Sequence, residues 1–287
     1  MLRKPEWLKV KLPGAGEFPE VKSILRHYHL HTVCEEARCP NLGECWGSGT
    51  ATIMILGEMC TRSCKFCATK TGNPHGALEK DEPLRVAQAV REMGLDYVVL
   101  TSVTRDDLPD GGAHHFAETI RMIKKMATDA LIEVLIPDYT GDNLKPVVEA
   151  HPDVIGHNIE TVKRLTRAVR DWRFSYEKSL KVLEEVKELD PTIYTKSSIM
   201  LGLGETKEEV LEAMQDLRRI DVDFFTLGQY LRPTHKHYPV ARFIPPEEFK
   251  EYERIGLEMG FKYVASGPLV RSSYKAAEYF IKNIIKG

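Results

Sequence analysis

Apolar and polar residues along this chain fall into two alternating rhythms, and both begin only after residue 50. ATIMIL at 51–56 is an unbroken apolar run of strand length. PLRVAQAVREM at 83–93 spaces its apolar residues along one helical face and is opened by Pro83, and DYVVLTS at 96–102 returns to a strand. The same reading predicts helix 113–127, strand 131–136, helix 141–150 and strand 153–158. A charged helical stretch around 161–170 and a stronger helix at 176–189 lead to strand 192–200. Helix 206–220 has Thr206 as its cap and Glu208 and Glu209 in its first turn. Strand 223–228, helix 246–259, strand 261–265 and a helix from about 274 complete the series. Residues 1–50 show little periodicity and are rich in Pro, Gly, His and Cys.

Strands that alternate with helices of this length imply right-handed βαβ crossovers and a parallel sheet. No strand is followed by G-x-G-x-x-G, and GEMCTRSC after the first strand lacks it too, which disfavours a doubly wound dinucleotide fold. The expectation is an α/β chain, a partial (β/α) barrel of about six parallel strands, with N-terminal and C-terminal extensions closing over the open end. Its units are 1–50, 51–265 and 266–287. In a barrel the chemistry sits where strands end. Polar residues fall there: Thr101 and Ser102, Asn158 and Glu160, Lys196, Ser197 and Ser198, and Gln229 and Tyr230.

Charge narrows the class. The 40 basic and 42 acidic side chains nearly cancel, at −2, which argues against nucleic acid as the main partner. No apolar run is long enough for a membrane span, and the first residues lack a signal-peptide core, so a cytoplasmic chain is expected. All six cysteines lie between Cys34 and Cys67. A secreted disulfide framework would spread its bridges through the fold, whereas clustered thiols point to metal or cofactor ligation.

The cysteines form two triplets. Cys60, Cys64 and Cys67 in CTRSCKFC are spaced C-x3-C-x2-C, which breaks the paired C-x2-C of a zinc knuckle. His75 is the nearest fourth ligand for zinc. Thiolates equally suit an iron–sulfur cubane, and three of them leave one iron free to bind a small molecule. Phe66 could shield such a cluster or stack on a ligand ring. Cys34, Cys39 and Cys45 in CEEARCPNLGEC are spaced C-x4-C-x5-C, and His27, His29 or His31 could close a zinc site with them.

CTRSCKFC after the first strand of a barrel resembles the radical S-adenosylmethionine superfamily. Together with CEEARCPNLGECW, TSVTRDDLPDGGA, HNIETV, GLGET, QYLRP and a terminal RSSY, it resembles the lipoyl synthases of that superfamily, from about residue 7 to residue 280. The resemblance implies two [4Fe–4S] clusters. One is held by Cys60, Cys64 and Cys67, with S-adenosylmethionine on its open iron. An auxiliary one is held by Cys34, Cys39, Cys45 and a serine of RSSY. Ser272 is assigned, although spacing alone leaves Ser273 open. It further implies insertion of two sulfur atoms at C6 and C8 of an octanoyl chain on a carrier-protein lysine, with the auxiliary cluster as donor. Partners would be octanoylated lipoyl domains or a glycine-cleavage H protein, a ferredoxin or flavodoxin, and a cluster-repair protein. Asn158 and Glu160 are expected at the methionine end and ribose, and Thr101 and Ser102 near the sulfonium or amino group. Gly202 and Gly204 are expected under the adenine, and Arg173 against a carboxylate or in an exposed salt bridge.

Overall fold

Each long strand is hydrogen-bonded to the next one in sequence, so the sheet never reverses its order. The computed structural model describes residues 3–9, 18–37, 39–47, 51–273, 281 and 283–286. Arg38, Tyr274 and the start of the helix expected from about 274 lie outside them. Seven parallel strands are present where about six were expected. They are β2 (Thr52–Ile55), β5 (Tyr97–Ser102), β6 (Leu131–Leu135), β7 (Val154–Gly156), β8 (Tyr194–Leu201), β9 (Phe224–Gln229) and β10 (Tyr263–Gly267). A two-residue strand, β1 (His31–Thr32), pairs antiparallel with β2 at one edge. Two more, β3 (Met59–Cys60) and β4 (Lys70–Thr71), form a separate ladder. This single direction of winding is that of a partial α/β barrel.

The helices follow from local chemistry. The helix named α9 below (Lys207–Arg219) starts in a full capping box between Thr206 and Glu209. In chain order the helices are α1 (Phe18–His27), α2 (Val33–Glu36), α3 (Leu42–Trp46), α4 (Glu82–Glu92), α5 (Ala113–Met126), α6 (Lys145–Glu149), α7 (Thr166–Val169), α8 (Tyr176–Leu189), α9 and α10 (Pro246–Glu258). The helix expected over 141–150 is a 3-10 turn, Gly141–Asn143, followed by α6, because Pro146 has no N–H to give and suits only a helix start. The charged stretch at 161–170 is likewise a 3-10 turn, Lys163–Leu165, and the one-turn α7. The N-terminal extension is more regular than its composition suggests. In α1 the buried Val21, Ile24 and Leu25 stand at i, i+3 and i+4, and Phe18 packs on Trp46 with ring centroids 5.3 Å apart.

Inside the barrel, side chains from β8 alternate by layer. Lys196 is buried against Glu133 at 2.7 Å, and the Tyr97 hydroxyl donates to the same carboxylate. Ser198 and Met200, farther along that face, reach the cavity at the strand ends. Ser197 faces the other way, donating to the His157 carbonyl.

The two chain extensions meet over this open end. The Asn41 side-chain amide donates to the Leu269 carbonyl at 2.7 Å, and the Thr52 hydroxyl donates to Ser273 Oγ at 2.9 Å. The returning strap 269–273 lies so close to β9 that a Cβ on Gly228 would stand 2.1 Å from the Val270 carbonyl oxygen. Backbone cannot yield like a flexible side chain, so Gly228→Ala must lift the strap. The expected cost is about 1–3 kcal/mol, with faster hydrogen exchange at 269–273 and unchanged exchange in β8 and α9. Exchange at 269–273 that matches the wild type would show that the strap does not depend on Gly228.

Candidate active site

A cavity of about 520 Å³ opens at the C-terminal ends of the strands. Its wall includes all six cysteines, each present as a thiol, together with Ser272 and Ser273. Phe66, Thr101, Ser102, Asn158 and Glu160 also line it, whereas Arg173, Gly202 and Gly204 do not. His75, His27, His29 and His31 do not line it either. His31 instead lies beside Glu36 and Glu58.

The loop carrying Cys60, Cys64 and Cys67 is closed at its base by the β3–β4 ladder, with Gly72 N–H bonded to the Cys60 carbonyl. Backbone N–H groups already point at its sulfurs. Arg62 N–H donates to Cys60 Sγ at 3.4 Å, and Asp171 N–H donates to Cys64 Sγ at 3.3 Å. Burial pushes the Cys64 thiol up to about 12 and raises that of Cys67, so ligand binding there must displace protons.

An ionic lattice holds the loop. Arg62, itself buried, bonds Asp106 and Asp138, and Lys178 also reaches Asp138. Arg173 clamps Asp171 at 2.8 Å, bonds Asp106, and donates to the Thr61 carbonyl. The Asp171 carboxylate, held well below its usual range by Arg173, accepts the Ser63 N–H at 2.9 Å. Arg173 therefore acts on the loop from outside the cavity. The Phe174 ring lies between two guanidinium groups, with Arg62 and Arg170 each 4.2 Å from its centroid.

Opposite the loop stands Glu160. Burial raises its carboxyl, while the Arg170 charge and a 3.1 Å hydrogen bond from the Asn158 amide act against that rise. Its backbone has φ +64°, an uncommon setting for a non-glycine residue, fixed by hydrogen bonds with Ser198 and Met200 on β8. A half-buried carboxylate in this position favours a cationic or hydroxyl-bearing ligand. The Ser102 hydroxyl is buried without a partner among the described residues, and Thr101 donates to the Leu135 carbonyl. Behind them runs a chain of donors. Arg170 donates to Ser179 Oγ at 2.7 Å, Ser179 lies 3.1 Å from His157 Nε2, and His157 Nδ1 is 2.9 Å from the Ile136 carbonyl. That carbonyl can only accept, so Nδ1 carries the proton. Burial lowers His157 to about 4, keeping the ring neutral.

Arg170, His157 and Phe174 line the cavity and were not singled out from sequence. His157 adjoins Asn158 in HNIE, and Arg170 and Phe174 flank Arg173 in RDWRF. Proximity to those motifs was the available signal. Gly202 has φ +97° and packs against a residue of the cavity wall. A Cβ there would meet Gln229 Nε2 at 2.3 Å, and it is Gln229 that lines the cavity.

The second triplet is gathered by a run of turns. Cys39 N–H bonds the Cys34 carbonyl, Leu42 N–H the Cys39 carbonyl, and Cys45 N–H the Asn41 carbonyl. The strap faces them. Ser273 Oγ is engaged by Thr52, whereas Ser272 makes no hydrogen bond among the described residues. Arg271 donates to the Gln229 and Val270 carbonyls and has Cys39 close enough to favour its charge. Two sets of three thiols, one with an unengaged serine hydroxyl on the same cavity wall, fit two iron–sulfur clusters.

Comparison with known proteins agrees. The radical SAM superfamily model matches residues 54–217, and the N-terminal domain model of lipoyl synthase matches residues 1–39. The lipoyl synthase of Thermus thermophilus is 58% identical over 281 residues, covering 97% of this chain and 87% of its own. That of Francisella tularensis subsp. novicida is 54% identical, covering 98% and 87%, and the apicoplast lipoyl synthase of Plasmodium falciparum is 54% identical, covering 99% and 69%. Among solved structures, methylornithine synthase PylB aligns with a TM-score of 0.57 at 16% identity, over 88% of this chain and 76% of its own. The hydrogenase maturase HydG of Carboxydothermus hydrogenoformans aligns at 0.58 and 14%, over 92% and 78%. At those identities the two structures speak for the barrel alone. The sequence relatives reach further, and by them this chain belongs to the lipoyl synthase family of radical S-adenosylmethionine enzymes.

Proposed function

We propose that this chain makes the lipoyl group by inserting two sulfur atoms at C6 and C8 of an octanoyl chain carried on a lysine of a lipoyl carrier protein. The observation that carries this reading is that both cysteine triplets and Ser272 line one cavity. When bound, the two [4Fe–4S] clusters and S-adenosylmethionine supply hydrogen abstraction from unactivated carbon and the sulfur to be inserted.

The residues of the chain do the binding, orienting and shielding. Cys60, Cys64 and Cys67 hold one cluster, and the N–H groups of Arg62 and Asp171 stabilise their thiolate charge. Glu160 and Asn158 take the ammonium and ribose of S-adenosylmethionine, with Ser102 and Thr101 beside them and Phe66 covering the ring. Arg173 orients the loop through Asp171. Gly202 and Gly204 let the backbone approach the adenine, and Gly202 also leaves room for Gln229. Cys34, Cys39, Cys45 and Ser272 hold the cluster that supplies sulfur. As a ligand for cluster iron the Ser272 hydroxyl would be harder and weaker than a thiolate, which suits a cluster that gives up its sulfur. The units 1–50, 51–265 and 266–287 thus divide supply, initiation and closure. Octanoylated lipoyl domains or a glycine-cleavage H protein are the substrates, a ferredoxin or flavodoxin the reductant, and a separate protein restores the auxiliary cluster. No helix among the described residues is long and apolar enough to cross a membrane, and we place the reaction in the cytoplasm.

Reconstituted protein should bind about eight irons per chain. Alanine at Cys34, Cys39 and Cys45 should preserve cleavage of S-adenosylmethionine and eliminate product. With heavy sulfide confined to the auxiliary cluster, a single turnover should yield labelled product by mass spectrometry. Unlabelled product would mean that this cluster is not the donor.

Replacing Glu160 with Gln removes a charged partner while keeping its volume. The affinity for S-adenosylmethionine should fall by about one to two decades, corresponding to the loss of a hydrogen bond to a charged group. Both clusters should still assemble, and unchanged affinity would assign Glu160 to the fold alone.

Because burial raises the Cys64 and Cys67 thiols, iron must displace their protons. Loading at the Cys60 site should therefore be faster at about pH 8.5 than at about pH 7. A loading rate independent of pH would contradict the raised values.

A further inference from the structure

Three segments beside the Cys60–Cys67 loop are rich in cations, of which Arg62 and Arg170 are buried and Arg62, Lys163, Arg164 and Arg173 are paired with acids. Residues 60–69, 163–173 and 231–238 hold nine lysines and arginines against one acid, the buried Asp171, in a chain whose net charge is −2. Hydrogen bonds pin the three segments together. Lys65 N–H bonds the Val169 carbonyl at 2.8 Å, Tyr238 N–H bonds the Lys65 carbonyl at 2.7 Å, and His237 Nε2 lies 2.9 Å from the Cys67 carbonyl. Several of these cations have acid partners, but Lys65, Arg167 and Lys236 are exposed and make no ion pair among the described residues. On the same segment as Arg167 stands Trp172, 73% exposed, whose carbonyl accepts from Arg167. Neither Trp172 nor those three cations lines the cavity.

A lone exposed apolar side chain ordinarily needs no explanation. Trp172 differs in what it adjoins. The residue before it, Asp171, donates its N–H directly to Cys64 Sγ at 3.3 Å. The surface at Trp172 is thus one peptide unit and one hydrogen bond from a cluster ligand. We propose that Lys65, Arg167, Trp172 and Lys236 form the docking surface for a one-electron carrier protein with an acidic face. The carrier would be oxidised by one electron, and the cluster held by Cys64 reduced by one, along the Asp171 N–H···Sγ contact. The proposal rests on the reading that Cys60, Cys64 and Cys67 hold a reducible cluster. Acidic carrier domains bearing the octanoyl chain are the competing occupants. They must deliver that chain into the cavity, whose wall these side chains do not form.

The test uses the holoenzyme, the triple variant Lys65→Glu/Arg167→Glu/Lys236→Glu, and Trp172→Ala. Calorimetry measures binding of an acidic ferredoxin, and stopped-flow absorbance follows bleaching of the cluster by the reduced ferredoxin or by dithionite. Electrostatic steering changes association by about 10 to 1,000-fold. The triple variant should lose at least about tenfold in ferredoxin affinity and in ferredoxin-driven reduction rate, and its rate should lose most of its salt dependence. Trp172→Ala should weaken affinity without altering the salt dependence. Reduction by dithionite and affinity for an octanoylated lipoyl domain should match the wild type. Ferredoxin binding and reduction that persist in the triple variant would overturn the docking surface. Loss of lipoyl-domain affinity instead would give the surface to the substrate carrier and likewise overturn it. Wild-type protein that dithionite cannot reduce would overturn the cluster reading itself. If the triple variant does not fold, neutral Gln at the same three positions carries the same comparison.

Discussion

Asp171 is the joint on which the cysteine loop depends. Its carboxylate accepts the Ser63 N–H and is gripped by Arg173, while its own N–H reaches Cys64 Sγ. A loop with three thiols in eight residues has no side-chain core of its own to fix it. Its shape is borrowed from backbone hydrogen bonds and from the lattice of Arg62, Arg173, Asp106 and Asp138 around it. Ion pairs this well hydrogen-bonded are costly to break singly, because the partner left behind is a buried charge. The loop is therefore rigid where ligands must be held at fixed angles, and rigid for electrostatic reasons.

The other ligand set is assembled by distance in the chain. Asn41 and Leu269 are 228 residues apart, and Thr52 and Ser273 are 221 apart, yet both pairs are hydrogen-bonded over one cavity. Contacts of such separation carry a large loop-closure entropy, which the intervening strands must offset. The barrel provides the floor, and the two extensions complete the wall. Cysteines of the N-terminal extension and serines of the C-terminal one come to one cavity wall only in the folded chain.

Polarity is graded along the barrel axis. Near the beginnings of the strands, Glu133, Lys196 and Tyr97 satisfy one another and leave nothing for a ligand. Near their ends, Glu160 keeps a half-buried carboxylate on the cavity wall, and the Ser102 hydroxyl has no partner among the described residues. Buried polar groups without partners are expensive in a fold and are tolerated where a ligand completes them. The unusual φ of Glu160 belongs with this pattern, because it aims the carboxylate at the cavity at the expense of backbone comfort.

Much of this was legible in the sequence, for reasons that are local. Strand runs such as ATIMIL and YVVL are buried on both faces, and so announce themselves without alternation. Capping by Thr206 and the two cysteine spacings are likewise written within a few residues. The helix α1 is faint in the sequence, since Phe18, Val21, Ile24 and Leu25 form a short stripe among polar residues that gains its partner only when Trp46 packs on Phe18. Nor could spacing choose between the two serines of RSSY. Ser273 is engaged by Thr52, a partner 221 residues away, whereas Ser272 has no hydrogen bond among the described residues, and both line the cavity. Arg170 and His157 carry no motif of their own, and their place in the site depends on burial and on each other through Ser179. The sequence by itself determined the ligand types and the barrel's rhythm, because both are encoded by neighbours in the chain. Only the tertiary structure decided which serine Thr52 engages, which arginine braces and which one lines the cavity, because those choices rest on contacts between residues far apart in sequence.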